Sequence, residues 1–160
     1  MVATRLALIA VACVATLPAS AQLLQRKDLS YPIALTIAQA ALDDCKGRGY
    51  ATSAVVVDRG GNTVVALRAD NASAHTMENA RRKAYTAMTF KMTTADFIKE
   101  MATRPVRREQ TTLPNVIAID GGVPIKVGND VVGGVGLSAS PGLDEQCVMA
   151  GMDKVKDPLQ

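Results

Sequence analysis

The chain has 160 residues, 48% of them hydrophobic and 21% charged, enough for one domain with a sizeable core and cramped for two. Its 18 basic and 15 acidic residues leave a net charge of +3 with no dominant run, which speaks against nucleic acid or an anionic membrane surface as partner. Aromatic residues make up only 3%, so base-stacking platforms are scarce, and the apolar content excludes intrinsic disorder.

After Arg5 comes an apolar run over residues 6–17, then Pro18 and the small-x-small sequence Ala19-Ser20-Ala21, the layout of a secretory signal. The prediction is a signal peptide over 1–21, cleaved after Ala21, and a periplasmic or secreted domain over 22–160. A membrane anchor is the alternative, but the run is shorter than the roughly 20 residues that span a bilayer, so no stable span is expected after cleavage. Cys13 leaves with the peptide. Cys45 and Cys147 remain as a candidate disulfide, because exported thiols meet an oxidising compartment; two buried free thiols are the alternative. A bridge would close a loop spanning 102 residues, contributing about 4 to 5 kcal/mol through chain entropy. No C-x-x-C occurs, which removes a thioredoxin-like site, covalent haem attachment and a cysteine-held zinc.

Helical spacing of Leu35, Ile37, Ala38, Ala41, Leu42 and Cys45 predicts a helix over 35–45, stopped by Gly47 and Gly49. Strands over 51–58 and 63–67 flank Arg59-Gly60-Gly61-Asn62 and read as a hairpin. A helix over 76–90 places Met77, Ala80, Ala84 and Ala87 on one face. Thr93-Thr94-Ala95-Asp96 has the form of a capped start for a short helix that ends at Arg104-Pro105, followed by a basic, polar linker. Strands are expected over 116–119, 123–127 and 131–138, punctuated by Gly121-Gly122 and Gly128-Asn129, with a last helix over 144–155. The order predicts an α/β (α+β) single domain: a five-stranded antiparallel sheet flanked by helices, which makes Cys45 and Cys147 neighbours if the first and last helices share a face.

Gly134-Val135-Gly136-Leu137-Ser138-Ala139 formally matches a dinucleotide fingerprint, yet it is expected in a strand, where its glycines would admit another backbone, a ligand or a subunit. His75 is the only histidine and sits at a predicted helix start, where the helix field suits a neutral imidazole free to ligate. A helix-capping or surface role is the bland alternative. Arg81, Arg82 and Lys83 fan around the helix, so one or two of them could face a carboxylate or propionate. Met77, Met88 and Met92 suit either iron or the core, and Tyr85 offers an oxygen ligand or a buried hydrogen bond. A triad of Ser138 or Ser140, His75 and Asp58 or Asp120 can be drawn on paper, without a nucleophile elbow to support it.

Together, Val55-Val56-Val57-Asp58-Arg59-Gly60-Gly61-Asn62, His75-Thr76, Arg81-Arg82-Lys83-Ala84-Tyr85-Thr86-Ala87, Gly121-Gly122-Val123-Pro124-Ile125 and Val132-Gly133-Gly134-Val135-Gly136-Leu137-Ser138 resemble the GlcG/HbpS family. The closing Asp144-Glu145, Cys147 and Ala150-Gly151 fit the same pattern, and the likeness runs over 35–155. The resemblance implies a GlcG-like, profilin-like domain, assembly into homo-oligomers, and binding of haem or, as in the related domain of PduO-type adenosyltransferases, a role around corrinoids. The leading expectation is therefore an exported, non-enzymatic protein binding a tetrapyrrole in an apolar cleft, with haem ahead of a corrinoid. His75 would ligate the metal, Arg81 and Lys83 would face propionates, and Tyr85, Phe90 and Met92 would supply contact surface. An enzyme or enzyme accessory acting on an oxidised metabolite, using Asp58, Asp120 or Asp144, is a second expectation, and an oligomerisation module without ligand is a third.

Overall fold

The computed structural model describes residues 24–159, so the predicted signal peptide over 1–21 lies outside the described residues. Helix α1 (Tyr31–Gly47) is followed by strands β1 (Ser53–Asp58) and β2 (Thr63–Arg68), then by helices α2 (Thr76–Phe90), α3 (Thr94–Thr103) and α4 (Pro105–Glu109). Strands β3 (Gly122–Val127) and β4 (Asp130–Ser138) and helix α5 (Asp144–Asp153) complete the order. The sheet is antiparallel, in the order β2-β1-β4-β3. The α+β class is as expected, with four strands in place of five.

The missing strand has a physical cause. Around Val116 the backbone is already engaged by α2: the Arg82 guanidinium donates to the Val116 carbonyl, and the Ile117 amide donates to Thr86 Oγ1 at 2.9 Å. Groups held by side chains of a helix are not free to join a ladder. The expected linker differs too, because Pro105 opens α4 at its first position, where a missing N–H costs nothing. Thr93 caps α3 as its sequence promised, accepting the Asp96 amide at 3.1 Å.

Alternation along the central strands divides the core into two layers. Ala54 and Val56 of β1, with Val135 and Leu137 of β4, face α1 and α5, whose stripe of Ala34, Ile37, Ala38, Ala41 and Cys45 is fully buried. Cys45 and Cys147 form a disulfide between these two helices, their Cα atoms 5.5 Å apart. On the other face Val55 and Val57 meet Ala80 and Ala84 of α2. Here the sheet carries Gly122, Gly134 and Gly136. A Cβ on each would come within 2.4, 2.3 and 2.1 Å of the carbonyl oxygens of Lys83, Ala84 and Ala80. The helix backbone therefore lies directly on a strip of sheet without side chains, which is the use of the fingerprint-like glycines.

Candidate functional site

Helix α2 carries the predicted ligand residues, and its spacing decides which of them can act together. His75 is the residue before the first turn; its imidazole is exposed and does not cap the helix. The local polar bonds are made instead by Thr76, whose hydroxyl donates to the Ser73 carbonyl at 2.7 Å and lies 2.8 Å from Ser53 Oγ. Six residues on, Arg81 grips Glu78 through Nε and Nη2, each at 2.8 Å, and Nη2 also reaches Asn115 Oδ1 at 2.7 Å. That guanidinium holds the Glu78 carboxyl below its ordinary range.

Lys83 points the other way. It is 1% exposed, with Nζ 2.7 Å from Asp144 Oδ2 and 2.9 Å from the Leu137 carbonyl. The second oxygen of Asp144 accepts the Ser140 amide at 2.9 Å and the Ser140 hydroxyl at 2.6 Å. Lys83 is thus committed to the interior and offers no charge to a surface ligand. Tyr85 is half-buried against the hairpin turn, so close that a Cβ at Gly61 would lie 2.6 Å from its ring. Phe90 stacks on Phe97 with centroids 4.6 Å apart, under the Arg107 guanidinium at 5.1 Å. Met92 follows Lys91, whose left-handed conformation (φ 59°) ends α2.

These six residues do not converge. With a rise of about 1.5 Å per residue, His75 and Phe90 stand roughly 22 Å apart along the helix, longer than one tetrapyrrole ring. None of the six lines any of the four principal hollows, of about 320, 560, 620 and 430 Å³. Close seating of α2 on the glycine strip explains why no cleft opens beneath it. The His75 imidazole is exposed at the N-terminal end of α2, and Arg81 and Tyr85, both half-buried, lie six and ten residues further along the helix.

The paper triad is not assembled. Ser140 is fully buried with its hydroxyl on Asp144, and Asp58 serves its own turn, Oδ1 accepting the Gly60 and Asn62 amides at 2.8 and 2.9 Å. Partial burial would raise the Asp58 pKa, but hydrogen bonds from Asn62, Gly60 and Gly61 outweigh it and hold the carboxyl below its ordinary range. Sequence reading missed the Lys83-Asp144-Ser140 cluster as a unit. Its only signal was a lysine that helical spacing sets beside Ala80 and Ala84. It also missed the groove where Glu145 lines a wall with Asp120; burial first, then the charges of Asp96 and Asp120, raises the Glu145 pKa. Among the described residues, no group of three or more His, Cys, Asp or Glu side chains could hold a metal ion, and no helix is long and apolar enough to cross a membrane.

The chain resembles several solved structures. HbpS is 32% identical with a TM-score of 0.80, covering 88% of this chain and 99% of that one. A Streptomyces reticuli HbpS variant with two Glu→Asp changes is 33% identical with a TM-score of 0.79, covering 88% and 98%. A PduOC:haem complex shares the fold at 21% identity and a TM-score of 0.72, covering 81% and 96%. No curated protein matches the chain. The family model described as "Haem degrading protein HbpS-like" matches residues 29–153, and the chain belongs to that HbpS-like family.

Proposed function

We propose that this chain is an exported protein that binds haem noncovalently on the outer face of α2, with His75 as axial ligand, for sensing, storage or transport. The observation that carries the reading is the state of His75: the chain's single imidazole stands exposed before the first turn of α2 and is not spent on capping. A ring nitrogen in that state is the donor an iron needs. Family membership and the likeness to HbpS support the choice of haem over other ligands.

The donor set fits a ring held on a surface rather than in a slot. Arg81 uses Nε and Nη2 on Glu78 and Asn115, which leaves Nη1 for a propionate. Tyr85 offers a half-buried ring for contact, while Phe90 and Met92 sit beyond the span of a ring centred near His75. When bound, haem supplies redox-active iron; the chain's own residues ligate, orient and neutralise. Export is supported by the signal-like layout over 1–21 and by the Cys45–Cys147 bridge, which persists in oxidising compartments.

Haem titration of the purified protein, read at the Soret band, tests the reading. Wild type is expected to give a saturable band shift, and His75→Ala to weaken binding at least about tenfold and change the spectrum. An identical spectrum and affinity in His75→Ala would remove His75 from the iron. The family description includes haem degradation, so the bound sample is also followed in time with a reductant, where decay of the Soret band would add that activity.

A further inference from the structure

The Cys45–Cys147 bridge does not end in apolar surroundings. Ser140 Oγ lies 3.0 Å from Cys45 Sγ, in a cluster where both cysteines and Ser140 are fully buried and Asp144 is 4% exposed. A bridge that only ties α1 to α5 needs no such neighbour, because a disulfide sulfur is a weak acceptor.

The hydrogens in this cluster can be counted. A disulfide sulfur carries none, and Ser140 Oγ carries one, which the 2.6 Å contact gives to Asp144 Oδ1 in a charge-assisted bond. Asp144, ion-paired with Lys83, only accepts: from Lys83 Nζ at 2.7 Å, from the Ser140 amide at 2.9 Å and from the Ser140 hydroxyl. The contact between Ser140 Oγ and Cys45 Sγ therefore holds no hydrogen while the bridge is closed. A buried oxygen faces sulfur with acceptor capacity to spare, and among the described residues no other side chain donates to it.

Opening the bridge supplies the missing donor. We propose that Cys45 and Cys147 form a reversible dithiol–disulfide couple rather than a permanent staple, with Ser140 as the acceptor that stabilises the reduced form. In the reduced protein the Cys45 S–H donates to Ser140 Oγ, whose own O–H still donates to Asp144. A run of hydrogen bonds then leads from the thiol through Ser140 and Asp144 to Lys83 of α2. The co-reactant is a small dithiol. Its thiolate attacks Cys147 Sγ, the bond between the two sulfurs breaks, and the electron pair passes to Cys45 Sγ, which takes a proton from solvent. The second thiol of the reductant then displaces Cys147 from the mixed disulfide; the reductant leaves as a cyclic disulfide and both cysteines end as thiols. Both sulfurs are buried, so exchange waits on a local parting of α1 and α5 and is slow.

Equilibration of residues 22–160, which lack Cys13, with mixtures of reduced and oxidised dithiothreitol tests the couple. The equilibrium is approached from both sides and read by alkylation and mass spectrometry. Wild type is expected to interconvert fully and to keep its circular dichroism spectrum when reduced. Ser140→Ala and Ser140→Gly are each expected to move the equilibrium at least about threefold toward the disulfide, since the bond to Cys45 exists only in the reduced form. A second readout is the Raman S–H band of Cys45 in Cys147→Ala. It is expected at the frequency of a hydrogen-bonded thiol, and at that of a free thiol once Ser140→Ala is added. A role confined to packing would move neither. A wild type that unfolds on reduction, an equilibrium unchanged in both Ser140 variants, or a free-thiol band in Cys147→Ala would each overturn the proposal. None of these outcomes depends on haem, so they are separate from the fate of the haem reading.

Discussion

The Lys83 ammonium lies 2.7 Å from Asp144 inside the protein and ties the middle of α2 to the first turn of α5. Both groups are buried, so each is the other's ion-pair partner away from solvent. Removing one partner strands the other: Lys83→Met and Asp144→Ala should each cost about 3–5 kcal/mol in chemical denaturation. The double replacement Lys83→Met with Asp144→Leu should lose much less than the sum of the single losses, since an apolar pair leaves no stranded charge. Additive losses would show that the two residues do not act as a pair.

The disulfide joins α1 to α5 on the opposite face of the sheet, with Ser140 Oγ 3.0 Å from Cys45 Sγ at the edge of the same polar cluster. Replacing Cys45 and Cys147 together by Ala is expected to lower stability by about 2–5 kcal/mol, read as a lower denaturation midpoint. Wild type in reductant should shift toward the same midpoint. An unmoved midpoint in both cases would mean that the bridge adds nothing to this fold.

Gly136 faces the Ala80 carbonyl so closely that a Cβ would sit 2.1 Å from it. Backbone cannot yield as a flexible side chain does, so Gly136→Ala should lift α2 from the sheet and cost at least about 2 kcal/mol. Thermal unfolding and amide exchange along α2 check this. Normal stability with unchanged exchange would contradict the close seating of the helix.

Asp58 supplies the pH dependence. Its folded pKa is depressed, so its contribution is fully present above the ordinary carboxylate range and is lost as pH falls through the folded value. Asp58→Ala should therefore destabilise by about 1–2 kcal/mol near neutral pH, from the loss of hydrogen bonds to the turn. The gap between variant and wild type should close in acid. A gap independent of pH would assign the loss to turn geometry rather than to the ionised carboxylate.

Much of the architecture was legible because its causes are local. The stripe of Ala34, Ile37, Ala38 and Ala41, the Asp58–Asn62 turn and the Thr93 cap each declare themselves within a few residues. Residues 116–119 misled because a β-branched run says nothing about who takes its hydrogen bonds, and here the takers are Arg82 and Thr86 from α2. The site was less legible for a related reason. Lys83 belongs to the same short cationic run as Arg81 and Arg82, and only the depth of α2 on Gly122, Gly134 and Gly136 turns it inward toward Asp144. Helix periodicity could place Lys83 on the side of Ala80 and Ala84, but not supply the partner from a helix 61 residues downstream.

The most direct measurement is a crystal structure of the protein grown with haem. The account predicts iron bonded to the His75 imidazole, with the ring lying across the outer face of α2 and a propionate at Arg81. Haem bound at another surface, with His75 free in solvent, would contradict it.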